Sequence, residues 1–245
     1  MRWLGRYSMK LPAVIYQATV GGWLLVHVAM ATRRWREFTV PGKTFDPNKD
    51  FPSFTTNNIC ECKALCLVQM KCKAWSAVNK ADGTKHCHLT DIAPYSTTFQ
   101  NHSDAVYGFM LDSLEGILPV NREEDGLYYF IPNDKKSILD ARTNCKKIPG
   151  FRLAIFKTIR QFVVGMKLSE ASENSVGSYK HLLIDLQKSS DKLEWGDGTQ
   201  YPNAFWDMIH DSSKANMYIT EKGIGSHEGG DWYYLCQGRN DDQVW

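Results

Sequence analysis

Five of the seven cysteines in this chain crowd together as Cys60, Cys62, Cys66, Cys72 and Cys87, while Cys145 and Cys236 stand far apart. Two chemistries suit that spacing. One is a disulfide framework with a long-range staple; the other is zinc held through the C-x3-C of Cys62 and Cys66, with His86 and His88 flanking Cys87 as further ligands. The redox compartment decides between them. Arg2, Arg6 and Lys10 open the chain, a mostly apolar run covers residues 11–31, and Ala29-Met30-Ala31 sets small residues where a signal peptidase reads. Residues 1–31 therefore read as a signal peptide of a secreted protein. The alternative is an uncleaved signal anchor and a type II membrane protein, because the run is long enough to span a bilayer and Arg33, Arg34 and Arg36 follow it. Gln17, His27 and the Gly21-Gly22 pair dilute its apolarity and favour cleavage. Either way the body faces an oxidising compartment, where the disulfide reading prevails over zinc.

The chain has 245 residues, of which 43% are hydrophobic and 23% charged, a core-forming balance with room for one large domain or two ordinary ones. Its formal charge is +2, and removing 1–31 takes away three basic residues and no acid, leaving −1. A nucleic-acid partner, which calls for a strong basic patch, is disfavoured. Ser, His and Asp residues occur without a nucleophile elbow, metalloprotease helix or phosphate loop, so the chain does not read as an enzyme. Asn101-His102-Ser103 is a glycosylation sequon suited to a surface loop. Between the two cysteine groups, residues 112–125 carry Asp112, Glu115, Gly116, Pro119, Glu123, Glu124 and Asp125 with no sustained apolar period, and read as a linker between domains at 38–111 and 126–240.

In the first domain Asn58, with Glu61 three residues on, marks a helix start. Cys62 and Cys66 then lie one turn apart on one face. Short strands are expected at 74–78 and 87–89, with a turn at 81–83, giving one helix on an antiparallel sheet. The runs Glu61-Cys62-Lys63-Ala64-Leu65-Cys66, Lys71-Cys72-Lys73-Ala74-Trp75 and Cys87-His88-Leu89 together resemble a PAN/apple domain. That resemblance implies pairs Cys62–Cys87 and Cys66–Cys72, and a module that binds proteins or carbohydrates without catalysis. Cys60 is extra to the pattern, and with an odd number of cysteines it is the expected leftover thiol, suited to a disulfide-linked dimer.

In the second domain, residues 127–130 read as a strand. Ser137 caps a helix with Ile138, Ala141, Cys145 and Ile148 on one face, and Pro149-Gly150 stops it. Thr158 with Gln161 opens a second helix, with Ile159, Phe162, Val163 and Met166 as its apolar face. Strands are expected from His181 to Leu186 and from Trp232 to Cys236, so the class is α+β: two helices, antiparallel strands and a long loop region. The order Ala141–Cys145, Gly150, Leu153-Ala154, Leu182–Leu186, Trp195-x-Asp197-Gly198, Trp206 and Leu235-Cys236-Gln237 resembles a C-type lectin-like domain. The resemblance implies Cys145–Cys236 as the long bridge, and Trp195 and Trp206 as core residues. The family's inner cysteine pair is absent, with Met217 at the place of one partner.

Sugar-binding members of that family hold calcium through E-P-N or Q-P-D and W-N-D motifs. Here the first corresponding stretch reads His210-Asp211-Ser212 and the second Gly223-Ile224-Gly225-Ser226 or, nearer the end, Glu228-Gly229-Gly230-Asp231-Trp232, and neither motif is present. No cofactor is therefore expected. A rewired calcium site from Asp207, Asp211, His227, Glu228 and Asp231 is the alternative. The ligand loop is expected at His210, Asp211, His227, Glu228 and Asp231. The function expected is extracellular recognition of glycans or proteins; the alternative is an adhesion or matrix component, linked through Cys60 or held at a membrane by residues 11–31.

Overall fold

A computed structural model of the chain describes residues 36–46, 51, 53–176, 181–190 and 192–239. The expected signal peptide or anchor at 1–31 lies outside them. Among the described residues no helix is long and apolar enough to cross a membrane. The fold is α+β, built on three antiparallel sheets.

The first sheet is complete within residues 37–110. Its strands are β1 (Glu37–Phe45), β2 (Phe54–Thr56), β3 (Ala74–Asn79), β4 (Lys85–Thr90) and β5 (Phe99–Met110), in the order β1-β5-β3-β4-β2. Helix α1 (Ile59–Val68) packs across it. Asn58 caps α1 by accepting from the Glu61 N–H at 3.1 Å, and Glu61 reaches back to the Asn58 amide at 2.7 Å and the Asn57 N–H at 3.2 Å. These bonds satisfy donors that a helix start leaves open. Cys62 and Cys66 face the sheet, and the structure bonds Cys62 to Cys87 on β4 and Cys66 to Cys72. They form a small core with Trp75 and Leu89.

The other sheets share the second half of the chain. One is β6 (Asn121–Arg122), β7 (Tyr128–Phe130), β13 (Cys236–Gly238) and β8 (Phe151–Leu153), in that order. The other is β10 (Lys192–Trp195), β9 (Leu182–Ser189), β11 (Asn216–Thr220) and β12 (Gly223–His227). Helix α2 (Ile138–Lys146) is capped by Ser137, whose Oγ accepts from the Asp140 N–H at 3.3 Å. Its Cys145 is bonded to Cys236, tying the helix to a strand paired on both sides. Arg142 on α2 reaches β9, donating to Asp185 at 2.5 Å and Gln187 at 2.9 Å. The final strand begins later than expected, because 232–235 make only isolated bridges, to Lys136 and Leu183, before Cys236 enters the ladder.

Helix α3 (Ile159–Val176) departs from its expected face. Ile159 is 56% exposed, whereas Phe162, Gly165, Ser169 and Ser172 are buried. The cause is close approach to the sheet: a Cβ on Gly165 would lie 2.6 Å from the Phe156 ring and 2.9 Å from Ile219. Small residues let the helix sit there, and the buried serine hydroxyls bond backbone carbonyls, Ser172 to Ser169 at 2.8 Å and Ser169 to Ile219 at 3.4 Å.

The segment 112–125 is not a solvated tether. Leu114 and Val120 are buried in one core cluster, and Ile117 and Leu118 pack against another. Asp125 accepts from the Tyr129 hydroxyl at 2.6 Å, and that hydroxyl accepts from the buried Gln237 amide at 3.1 Å. The two halves consequently share a core. Phe38 on β1 stacks on Phe109 at 5.2 Å and also meets Tyr128 at 5.3 Å and Phe151 at 5.0 Å in the second half. Gly150, in the turn after α2, has φ +80°, and a Cβ there would lie 2.7 Å from the Phe38 ring, so this glycine also makes room for the seam.

Candidate functional site

The β11–β12 hairpin pairs Asn216 with His227, Met217 with Ser226 and Tyr218 with Gly225. Alternation sends Met217 and Ile219 into the core, and sets Tyr218 on the other face with His227. Gly225 leaves space for the tyrosine ring, since a Cβ there would meet it at 2.5 Å. Around Tyr218 gather His181 at 4.3 Å and Trp232 at 6.1 Å, both near-parallel, with His227 at 6.2 Å and His210 at 6.5 Å. His227 and Trp232 also contact each other, at 5.2 Å. Of these rings His210 is exposed, His181, Tyr218 and Trp232 are half-buried, and His227 is 7% exposed.

Two carboxylates of the alternative, rewired calcium site are engaged elsewhere. Asp211 accepts from the Ser226 hydroxyl at 2.7 Å and from the Ser213 N–H at 2.9 Å, bonds that hold its carboxyl down at about 2. Glu228 is ion-paired with Lys214, which lowers its carboxyl and raises the ammonium. Asp207 and Asp231 are exposed. Among the described residues no three His, Cys, Asp or Glu side chains gather as a metal-holding group, and Asp207, Asp211, His227, Glu228 and Asp231 do not converge.

His227 is the buried member of the loop set. Its Nδ1 lies 3.3 Å from the Gly229 carbonyl, which also accepts from Trp232 Nε1 at 3.2 Å. A carbonyl only accepts, so the neutral ring carries its proton on Nδ1, and Nε2 is buried with no hydrogen-bond partner. Burial pushes the imidazole below its ordinary 6.5, outweighing the Gly229 bond. His88 shifts the same way, through burial first and then the His86 ring stacked 4.5 Å away. A depressed histidine is protonated more readily when unfolded. The stability it contributes is therefore full above 6.5 and is lost as pH falls from 6.5 through the folded value. In a histidine NMR titration His227 is expected to reach its midpoint below 6.5, and a midpoint at or above 6.5 would contradict the burial.

Trp195 lies in the core, but Trp206 does not: it is 44% exposed. It sits on a 3-10 turn, Asn203–Met208, where Phe205 takes the inward place against Phe162 at 5.2 Å. Trp206 packs edge-on to Tyr201 at 6.0 Å, and its indole N–H donates to Asn203 at 3.0 Å. The sequence reading missed Tyr218, His181 and Trp232 as a surface group. A tyrosine set directly between two core positions, Met217 and Ile219, on one strand was the available signal. Cys60 is an exposed free thiol at the start of α1. Asn101 is exposed on β5 opposite Lys43, and its Oδ1 accepts from the Lys43 ammonium at 2.5 Å. That bond leaves Nδ2, the glycosylation atom, unused.

No family model matches this chain, and no curated protein sequence does either. Solved C-type lectin structures are similar over about half of it. The trimeric Kupffer cell C-type lectin receptor Clec4f is 16% identical over 51% of this chain and 85% of that one, with a TM-score of 0.39. Human lithostathine is 13% identical over 49% and 88%, at 0.39. The C-type lectin CEL-I from Cucumaria echinata is 12% identical over 50% and 96%, at 0.38.

Proposed function

We propose that this chain is an extracellular recognition protein that binds glycans or proteins through the loop face carrying Trp206 and the Tyr218–Trp232–His181 stack, without calcium. A C-type lectin-like module would carry that face, and a PAN/apple-like module at 38–111 would assist. The observation that carries the reading is the pairing of exposed Trp206 and the half-buried ring stack with spent carboxylates. Aromatic rings offer the apolar faces on which sugar C–H groups or protein side chains stack. Asp211 and Glu228 are already committed to Ser226, Ser213 and Lys214. Three disulfides agree with an oxidising, extracellular setting.

A glycan array probed with calcium and again with a chelator tests this. Binding is expected to survive chelation and to weaken about tenfold in Trp206→Ala, the loss of one good stacking contact. Binding abolished by the chelator would overturn the calcium-free reading. Silence on the array would reject sugars and leave protein ligands. The second reading, a disulfide-linked adhesion component, is favoured by the exposed Cys60 thiol, and a monomer band alone on non-reducing electrophoresis removes it.

A further inference from the structure

A groove of about 420 Å³ lies away from the loop face, where the two halves of the chain meet. Lys43 of β1 and the 95–99 connection ahead of β5 form one wall; Lys146, Lys147 and Pro149 at the end of α2 form the other. Its lining holds three lysines and no carboxylate. That imbalance is local, because the chain as a whole is close to neutral. It also differs from the way other lysines are used: Lys63, Lys136, Lys157, Lys167 and Lys214 each pair with an Asp or Glu. Among the described residues no carboxylate forms an ion pair with Lys43, Lys146 or Lys147. Lys43 is held only by the neutral Asn101 side chain, and Asp185, which feels the charge of Lys146, is itself bonded to Arg142.

We infer that this groove is a second binding site, for an anionic saccharide. The three ammonium groups supply the attraction for a sulfate or carboxylate. Exposed Tyr95 offers a ring face to sugar C–H groups, and the hydroxyls of Ser96 and Thr98 offer bonds to sugar hydroxyls. The volume falls within the range of small-molecule sites, which suits a short saccharide stretch better than a protein surface. Because one wall comes from each half, a ligand seated there bridges them. The site does not depend on the loop face: Trp206 takes no part in it.

Binding of a sulfated tetrasaccharide, a sialylated trisaccharide and a neutral trisaccharide to the full secreted chain tests the inference, read by calorimetry at physiological salt. One or both anionic sugars are expected to bind more tightly than the neutral one, and the pair tells sulfate from carboxylate. Binding should fall about tenfold in the triple variant Lys43→Gln, Lys146→Gln, Lys147→Gln, as loss of three exposed charge contacts implies. It should also fall in Tyr95→Ala, where every charge remains. Three controls can overturn it. An equal loss in a charge-matched Lys136→Gln, Lys167→Gln, Lys214→Gln variant would mean diffuse electrostatics. Equal groove-dependent binding of an acidic peptide would mean a protein partner. No binding of either anionic sugar would mean no such site.

Discussion

Replacing Cys145 and Cys236 together by alanine will lower the stability of the fold by roughly 4–5 kcal/mol, the unfolded-state entropy that closing a loop of this length removes in the simple chain model. The two residues are 91 apart in sequence, the longest span of the three bridges. Both are fully buried within the cluster that joins the halves. Alanine is the appropriate replacement, because a serine hydroxyl there would add the cost of an unpaired buried polar group. Since folded domains are stable by only about 5–15 kcal/mol, the variant is expected to leave cells poorly and to unfold at much lower urea. The measurement is the urea midpoint of oxidised parent and variant under the same conditions. A loss under about 1 kcal/mol would mean that α2 and β13 hold together without the bridge, and that the chain model of its contribution fails here.

Phe38→Ala is expected to cost about 3–5 kcal/mol, the range for truncating a fully buried phenylalanine. Its second effect is more informative. Phe38 stands on the first sheet, yet two of its ring neighbours, Tyr128 and Phe151, belong to the second half. Removing it empties the seam while sparing the core around Trp75 and the cluster around Trp195. Parent protein should unfold in one cooperative transition, followed by near-ultraviolet circular dichroism and by fluorescence together. The variant should separate into two, one for each half. Coincident transitions in Phe38→Ala would show that the segment 112–125, through Leu114 and Val120, suffices to couple them.

Local signals were legible and compensated ones were not. Asn58 with Glu61 and Ser137 before Ile138 could be read because a cap and its partner lie within one turn, and their geometry needs nothing from the rest of the chain. The face of α3 was misread because hydrophobicity names Ile159 and Val163, whereas contact with Phe156 and Ile219 requires small residues, which carry no apolar signal. Segment 112–125 looked solvated because its acids dominate the eye. Leu114, Ile117 and Leu118 keep helical spacing for a single turn only, interrupted by Gly116 and Pro119, so only the tertiary fold gives them and Val120 a common use. In the candidate site the loop residues could be named, but their partners could not. That Ser226 and Lys214 would occupy Asp211 and Glu228 depends on the hairpin register, and that Phe205 would displace Trp206 outward depends on a turn that one residue of slip would reverse.

The placement of β13 between β7 and β8 has a bearing on how the chain is made. The first sheet and its two bridges can close once residue 110 has emerged, but the sheet of β6, β7, β13 and β8 cannot form until its central strand arrives. At typical rates of synthesis Cys145 waits roughly 5–20 s for Cys236. Throughout that interval the nascent chain, with Cys62–Cys87 and Cys66–Cys72 already joined, presents two open thiols, Cys145 and Cys60. A bond between these two would leave Cys236 without its partner, so the thiol left over in the finished protein is a competitor for the long bridge until the last strand is made.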